Sequence, residues 1–159
     1  YEGTEGTVTD TGTGAFNVSS LVVTKTVQVI SDPVEATLRP KSIPGAFVQY
    51  TVSVQNNGRG SADNNSLTIT DPVPAHAVFY LSGATPFIFT DGSPSSGLST
   101  PVMVFSNNGG GTYTYAPSCA RPCTDPAITN IKLNFSGSMN GRTGGADPSF
   151  TVSYQVVIQ

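Results

Sequence analysis

The side chains able to do chemistry are few and widely spaced. One histidine, His76, sits in Pro74-Ala75-His76-Ala77-Val78. A Ser-His-Asp relay needs an imidazole oriented by a carboxylate beside an activated serine, and no serine here lies in a Gly-x-Ser-x-Gly elbow. At the start of a predicted strand, His76 reads as a solvent-facing residue. Ten carboxylates are spread along the chain, and no pair stands out for the paired-acid work of glycoside hydrolysis. The chain is therefore expected not to be an enzyme.

Metal chemistry is equally thin. One His and two Cys do not complete a four-ligand zinc site. Cys119 and Cys123, in Ser118-Cys119-Ala120-Arg121-Pro122-Cys123, are too far apart in sequence for a redox pair, which separates its cysteines by two residues. They are expected to form one local disulfide. A loop so short gains only ~2 kcal/mol on the chain-entropy model, so the bond serves to shape a Pro-containing loop. No cofactor is expected. Calcium is a lesser expectation at Asp71 and Asp91, whose loops are rich in oxygen but lack an Asp-x-Asp-x-Asp-Gly string.

The elements that must position these residues read as strands. Phe47 to Gln55 alternates strictly, with Val48, Tyr50, Val52 and Val54 on one face and Gln49, Thr51, Ser53 and Gln55 on the other. A period of two marks a strand with one face on a core and one in water. Phe150, Val152, Tyr154, Val156 and Ile158 repeat the pattern at the end of the chain. Shorter strands are predicted at Thr26–Ile30, Leu67–Thr70, Val78–Leu81, Phe87–Thr90, Val102–Phe105, Thr112–Tyr115 and Ile131–Ser136, and helix is expected to be nearly absent. Between them, Asn56-Asn57-Gly58, Asn107-Asn108-Gly109, Asp71-Pro72 and Asp147-Pro148 supply turn chemistry. Together these predict an all-β, immunoglobulin-like, two-sheet antiparallel β-sandwich of about seven to nine strands.

Composition fits that reading. Charged residues make up 11% of the 159, far below the usual share, with Thr, Ser and Asn in their place. The net charge is −3, and the seven Lys and Arg stand singly. Nothing resembles a stripe that would neutralise phosphates, so neither nucleic acid nor an anionic membrane is an expected partner. The apolar runs are too short for membrane insertion. The chain opens on Tyr1-Glu2-Gly3-Thr4 without an initiating Met, which is read as an exported chain freed of its signal peptide. An oxidising compartment would then allow the disulfide.

Residues 1–20 differ in kind from the domain predicted over 21–159. They hold Gly, Thr and Ser, three acids (Glu2, Glu5, Asp10), no base, and the sparse apolar residues Val8, Ala15, Phe16 and Val18. Such a segment does not bury itself and reads as an extended arm. Three Asn-x-Ser sites, Asn17, Asn64 and Asn134, are possible glycan acceptors.

From Val22 the chain reads Val22-Val23-Thr24-Lys25-Thr26-Val27, then Pro44-Gly45 leading into Val48-Gln49-Tyr50-Thr51-Val52 and Asn56-Asn57-Gly58, then Thr70-Asp71-Pro72-Val73-Pro74. In this order of strands and turns it resembles a bacterial surface-protein repeat family known as domain of unknown function eleven. It is best over 22–81, and the stretch 82–127 follows no matching pattern. The resemblance implies an immunoglobulin-like module of exported proteins, usually in tandem, whereas a single copy is present here. A single copy builds a long structure only by self-association.

Two functions follow as expectations. The first is a structural subunit of an extracellular filament or pilus, a homopolymer in which the arm, through Val8, Phe16 and Val18, adds as a strand to the next copy. A head-to-tail contact of that kind propagates into an open fibre. The alternative is a cell-surface adhesin or carbohydrate-binding module, in which Tyr80, Phe87, Phe89, Tyr113 and Tyr115 offer rings to a glycan. A third, blander reading is a piece of a larger surface protein.

Overall fold

A computed structural model of the chain describes residues 17–159. Among the described residues there is no helix. Nine strands of the described residues form two antiparallel sheets, the sandwich expected from the alternation. In chain order they are β1 (Leu21–Ser31), β2 (Phe47–Asn56), β3 (Thr68–Pro72), β4 (Ala77–Leu81), β5 (Phe87–Asp91), β6 (Val102–Ser106), β7 (Cys123–Asp125), β8 (Asn130–Asn134) and β9 (Ser149–Ile158).

The larger sheet runs β1-β2-β9-β4-β7, and β5 pairs with β9 beside β4. The two strands with the clearest period of two are its centre: Val52 stands opposite Val152 and Tyr50 opposite Tyr154. The smaller sheet runs β3-β8-β6. Phe79, Leu81, Ile131, Leu133, Phe150, Val152 and Val156 are almost fully buried between the layers. Aromatic contacts fix how the sheets overlie each other. Phe105 of β6 meets Phe79 of β4 edge to face, with centroids 5.6 Å apart. Tyr115, bridged to β6, donates its hydroxyl to Asp125 of β7 at 2.9 Å. The far side of the small sheet thus lies under β4 and β7, and β3 lies toward β2 and β1.

Several predicted elements shift. The strand expected at Thr26–Ile30 is the long β1, which starts at Leu21 and is bulged near its end. Thr112–Tyr115 is not a strand; only Tyr115 bridges Phe105, because the Asn108 side chain ties Thr112 into the preceding turn. Cys123–Asp125 pairs with β4 as an unpredicted strand. Strands so short carry too few residues to display a period.

Candidate functional site

The two sheets are unequal in width, and the mismatch leaves one side of the sandwich open. β1 is the last strand of the larger sheet and β3 the last of the smaller one. The cross-strand partners of Val48, Tyr50, Val52 and Val54 are Val29, Val27, Lys25 and Val23, so these four β1 residues point to the core side. A core-side valine is normally hidden. Here Val23 and Val27 are each 61% exposed, since no strand of the smaller sheet lies beneath them. The outward residues of β1, Val22 among them, are exposed as well. The result is a seam floored by the inner side of β1 and bordered by the free edge of β3.

One polar residue interrupts the valines of the seam. The Lys25 ammonium reaches across to Asp71 of β3, 2.7 Å from Oδ1 and 2.6 Å from Oδ2. It also stands 4.4 Å from the centroid of the Tyr50 ring. Tyr154 donates its hydroxyl to Asp71 Oδ2 at 2.5 Å. Burial, and then the hydrogen bond to a carboxylate, push the Tyr154 hydroxyl well above the usual tyrosine range. At its lower end the seam opens into an apolar hollow of about 450 Å³ lined by Val29, Val48, Val156, Ile158 and the Pro74–Ala77 corner. His76, exposed and with φ of 62°, turns that corner at the rim, and no carboxylate lines the hollow beside it.

At the upper end, the last residues of the arm are held by their own domain. Ser20 N–H donates to Asn56 Oδ1 at 2.9 Å, Asn57 N–H to the Ser20 carbonyl at 3.0 Å, and Gly60 N–H to the Val18 carbonyl at 3.0 Å. The fit depends on missing side chains. A Cβ at Gly58 would lie 2.3 Å from the Val18 oxygen, and one at Gly60 2.5 Å from the Asn17 oxygen. Val18, expected among the residues that reach a neighbour, therefore has its backbone tied to its own subunit, while its side chain is 70% exposed. Val8 and Phe16 lie outside the described residues.

The other residues singled out from the sequence are separate from the seam, apart from Asp71. Cys119 and Cys123 are joined, with sulfurs 1.99 Å apart, beside the start of β7. The Asp91 carboxylate accepts hydrogen bonds from Ser95 and Ser96. Burial opposes its ionisation, and these hydrogen bonds outweigh that, lowering its pKa. Among the described residues no group of three His, Cys, Asp or Glu side chains is placed to hold a metal. Asn17 and Asn64 are exposed, whereas Asn134 sits half-buried in β8 between Thr68 and Val102. The five rings suggested for a glycan do not form an exposed platform. Phe87 is buried, Phe89 packs against the core, Tyr80 is half-buried and Phe47 meets it edge to face, and Tyr113 and Tyr115 are half-buried.

Sequence reading missed the seam itself. Val23, Lys25 and Val27 alternate with Thr24 and Thr26, a signal of period two, but which face lacks a cover depends on the width of a sheet built from distant residues. No family model, curated protein or solved structure matches the chain.

Proposed function

We propose that this chain is the structural subunit of an extracellular bacterial filament, assembled head to tail by β-strand addition of its N-terminal arm to the next copy. The observation that carries the reading is the uncovered core side of β1, with Val23 and Val27 each 61% exposed. Exposed edges paired with apolar, core-side residues are a template for another strand. Burying the two valines against an incoming strand is worth about 1 kcal/mol or more for each. The strand's backbone hydrogen bonds to the edge add to this.

The arm suits the partner role. Thr7, Val8, Thr9, Thr11 and Thr13 are β-branched, and no proline precedes Pro33. The low charge of the chain leaves little repulsion between copies. In this reading the protein works outside the cell, carries no cofactor and performs no catalysis.

Electron microscopy and sedimentation of the purified chain test the reading, beside a variant lacking residues 1–16. Asn17–Ser20 are kept because they bind their own domain. The full chain is expected to form fibres, and the shortened chain to remain a folded monomer. Monomers from the full chain at every concentration, or fibres from the shortened one, would sink it.

A further inference from the structure

The filament reading leaves two free edges to choose between, the outer edge of β1 and the edge of β3. Directions along the sandwich narrow the choice. β1 runs from the upper pole, where Asn57 holds Ser20, to the lower pole at Ser31, which pairs with Phe47. β3 runs the same way: Asp71 lies within reach of Lys25, and the Pro74–Ala77 corner that follows borders the lower hollow beside Val29. The root of the arm is at the upper pole of its own subunit. For copies to stack head to tail, an arm rising from one copy must enter the next at its lower pole. Its chain then runs, from low to high residue number, in the direction of β1 and β3.

Adding outside β1 would leave Val23 and Val27 uncovered. Adding beside β3 slides the strand beneath them, completing the smaller sheet. The sequence then sets the register. Val23-Thr24-Lys25-Thr26-Val27 places one cation between two valines on the core side. That cation already holds Asp71, 2.7 and 2.6 Å from its two oxygens. An incoming strand must then bring no second cation there, and an acid able to share the ammonium fits best, since opposite charges select a pairing and like charges reject one. Only Asp10 has a flanking pattern that fits. Two residues before it stands Val8, and after it Gly12 and Gly14 allow the backbone close to Val27 and Val29. Val8 through Phe16 has the same number of residues as Val23 through Ser31, so with Asp10 opposite Lys25 the run ends with Phe16 at the lower hollow.

We infer that residues 8–16 of a second copy occupy the seam beside β3 in this register, with Val8 under Val23, Asp10 at Lys25 and Phe16 in the hollow formed by Val29, Val48, Pro74 and Ile158. The inference rests on the filament reading and specifies its acceptor site. Lys25, an inward-pointing charge on an edge strand that Asp71 already pairs, disfavours strands that would bring a second cation beside it and so biases the choice of partner. Thr7, Thr9, Thr11 and Thr13 face outward in this arrangement.

The test uses the full chain with paired cysteines, Val8→Cys with Val23→Cys, against a control pair, Val8→Cys with Val22→Cys, whose second site faces away from the seam. Residues facing each other across two packed sheets stand about 10 Å apart, beyond the reach of a disulfide, so a short thiol-to-thiol crosslinker is used. A gel of the first pair is then expected to show a ladder of covalent multimers, and the control none. A companion variant, Asp10→Lys, is expected to cut fibre yield by roughly tenfold or more while the domain stays folded. Fibres without the ladder, a ladder from the control pair instead, or a crosslinked monomer linked within one chain would each overturn the inference. The first two leave the filament reading standing. Absence of fibres from the unmodified chain removes that reading and the acceptor site with it.

Discussion

Lys25 of β1 and Asp71 of β3 form a bridge across the open side of the sandwich, with both carboxylate oxygens within 2.7 Å of the ammonium. It is a direct link between the two edge strands, which otherwise belong to different sheets. The lysine side chain is 37% exposed and the aspartate 11%. Water screens the pair on the lysine side, and Tyr154 satisfies the aspartate from within.

Replacing Lys25 by Met keeps the length of the stem and removes the charge. Asp71 then retains one donor in a site mostly shielded from water. The expected loss is about 1–2 kcal/mol, below the cost of breaking a fully buried pair because the lysine is partly solvated. Urea unfolding in low and high salt checks it: the difference between the two proteins should narrow as salt rises.

Tyr154→Phe removes the inner donor to Asp71 and should cost about 1–3 kcal/mol. The tyrosine also sets an alkaline limit. Its folded-state pKa is raised, so the stability it contributes is present in full below the ordinary tyrosine pKa and is lost as pH climbs toward the folded value. Thermal melts between neutral and strongly alkaline pH should show a decline in the unmodified protein that is shallower in the phenylalanine variant.

Asp32 governs acid behaviour in the loop that links β1 to β2. Its carboxylate accepts from the backbone N–H groups of Val34, Glu35 and Lys41 at 2.7, 2.6 and 2.6 Å. Those bonds, that from Glu35 first, hold its pKa below the usual carboxylate value. A depressed pKa contributes stability above the unfolded-state value, lost as pH falls through the folded one. Amide exchange at Val34, Glu35 and Lys41 should therefore quicken as pH falls below the ordinary carboxylate range, after correction for the intrinsic rate. In Asp32→Asn the amide oxygen still accepts from Val34 and Glu35, but the NH2 in place of Oδ2 does not accept, so the Lys41 amide should be fast even at neutral pH.

Gly60→Ala tests the root of the arm. The added methyl would press on backbone atoms of Asn17 and Val18, which have no flexible tip to give way. Residues Asn17–Ser20 should detach, with loss of exchange protection at Asn57 and Gly60, while the protected amides of β2 and β9 change little.

Val27→Glu separates stability from assembly. The valine is 61% exposed, so the melting point should move by no more than a surface change produces, within about 0.5 kcal/mol. Fibre formation should fail, because the new carboxylate would need to be buried without a partner under the incoming strand.

The central strands were legible because their residues alternate over lengths that allow no second interpretation. Phe47–Asn56 and Ser149–Ile158 are within a residue of their predicted bounds. The sandwich follows from them and from the turns. The site was less legible. Lys25 was visible as part of a strand, yet its partner Asp71 lies 46 residues away, and nothing local states that β3 ends the smaller sheet. Asp71 drew attention as an oxygen donor for calcium, and its place opposite an ammonium depends on the packing of two sheets. Tyr113, Phe87 and their neighbours resembled a binding surface only until the core claimed one and half-covered the other.

The two ends of the described chain lie at opposite poles. β1 and β9 both run downward with β2 between them, so Asn17–Ser20 are at the top and Gln159, whose N–H donates to the His76 carbonyl at 2.8 Å, is at the bottom. A pull applied between those ends is directed along the strands. The ladders joining β1 to β2 and β2 to β9 would then be loaded in shear, with all their hydrogen bonds sharing the force, instead of parting one after another like a zipper. Such an arrangement favours slow rupture under tension, a property set by topology and independent of how stable the domain is at rest.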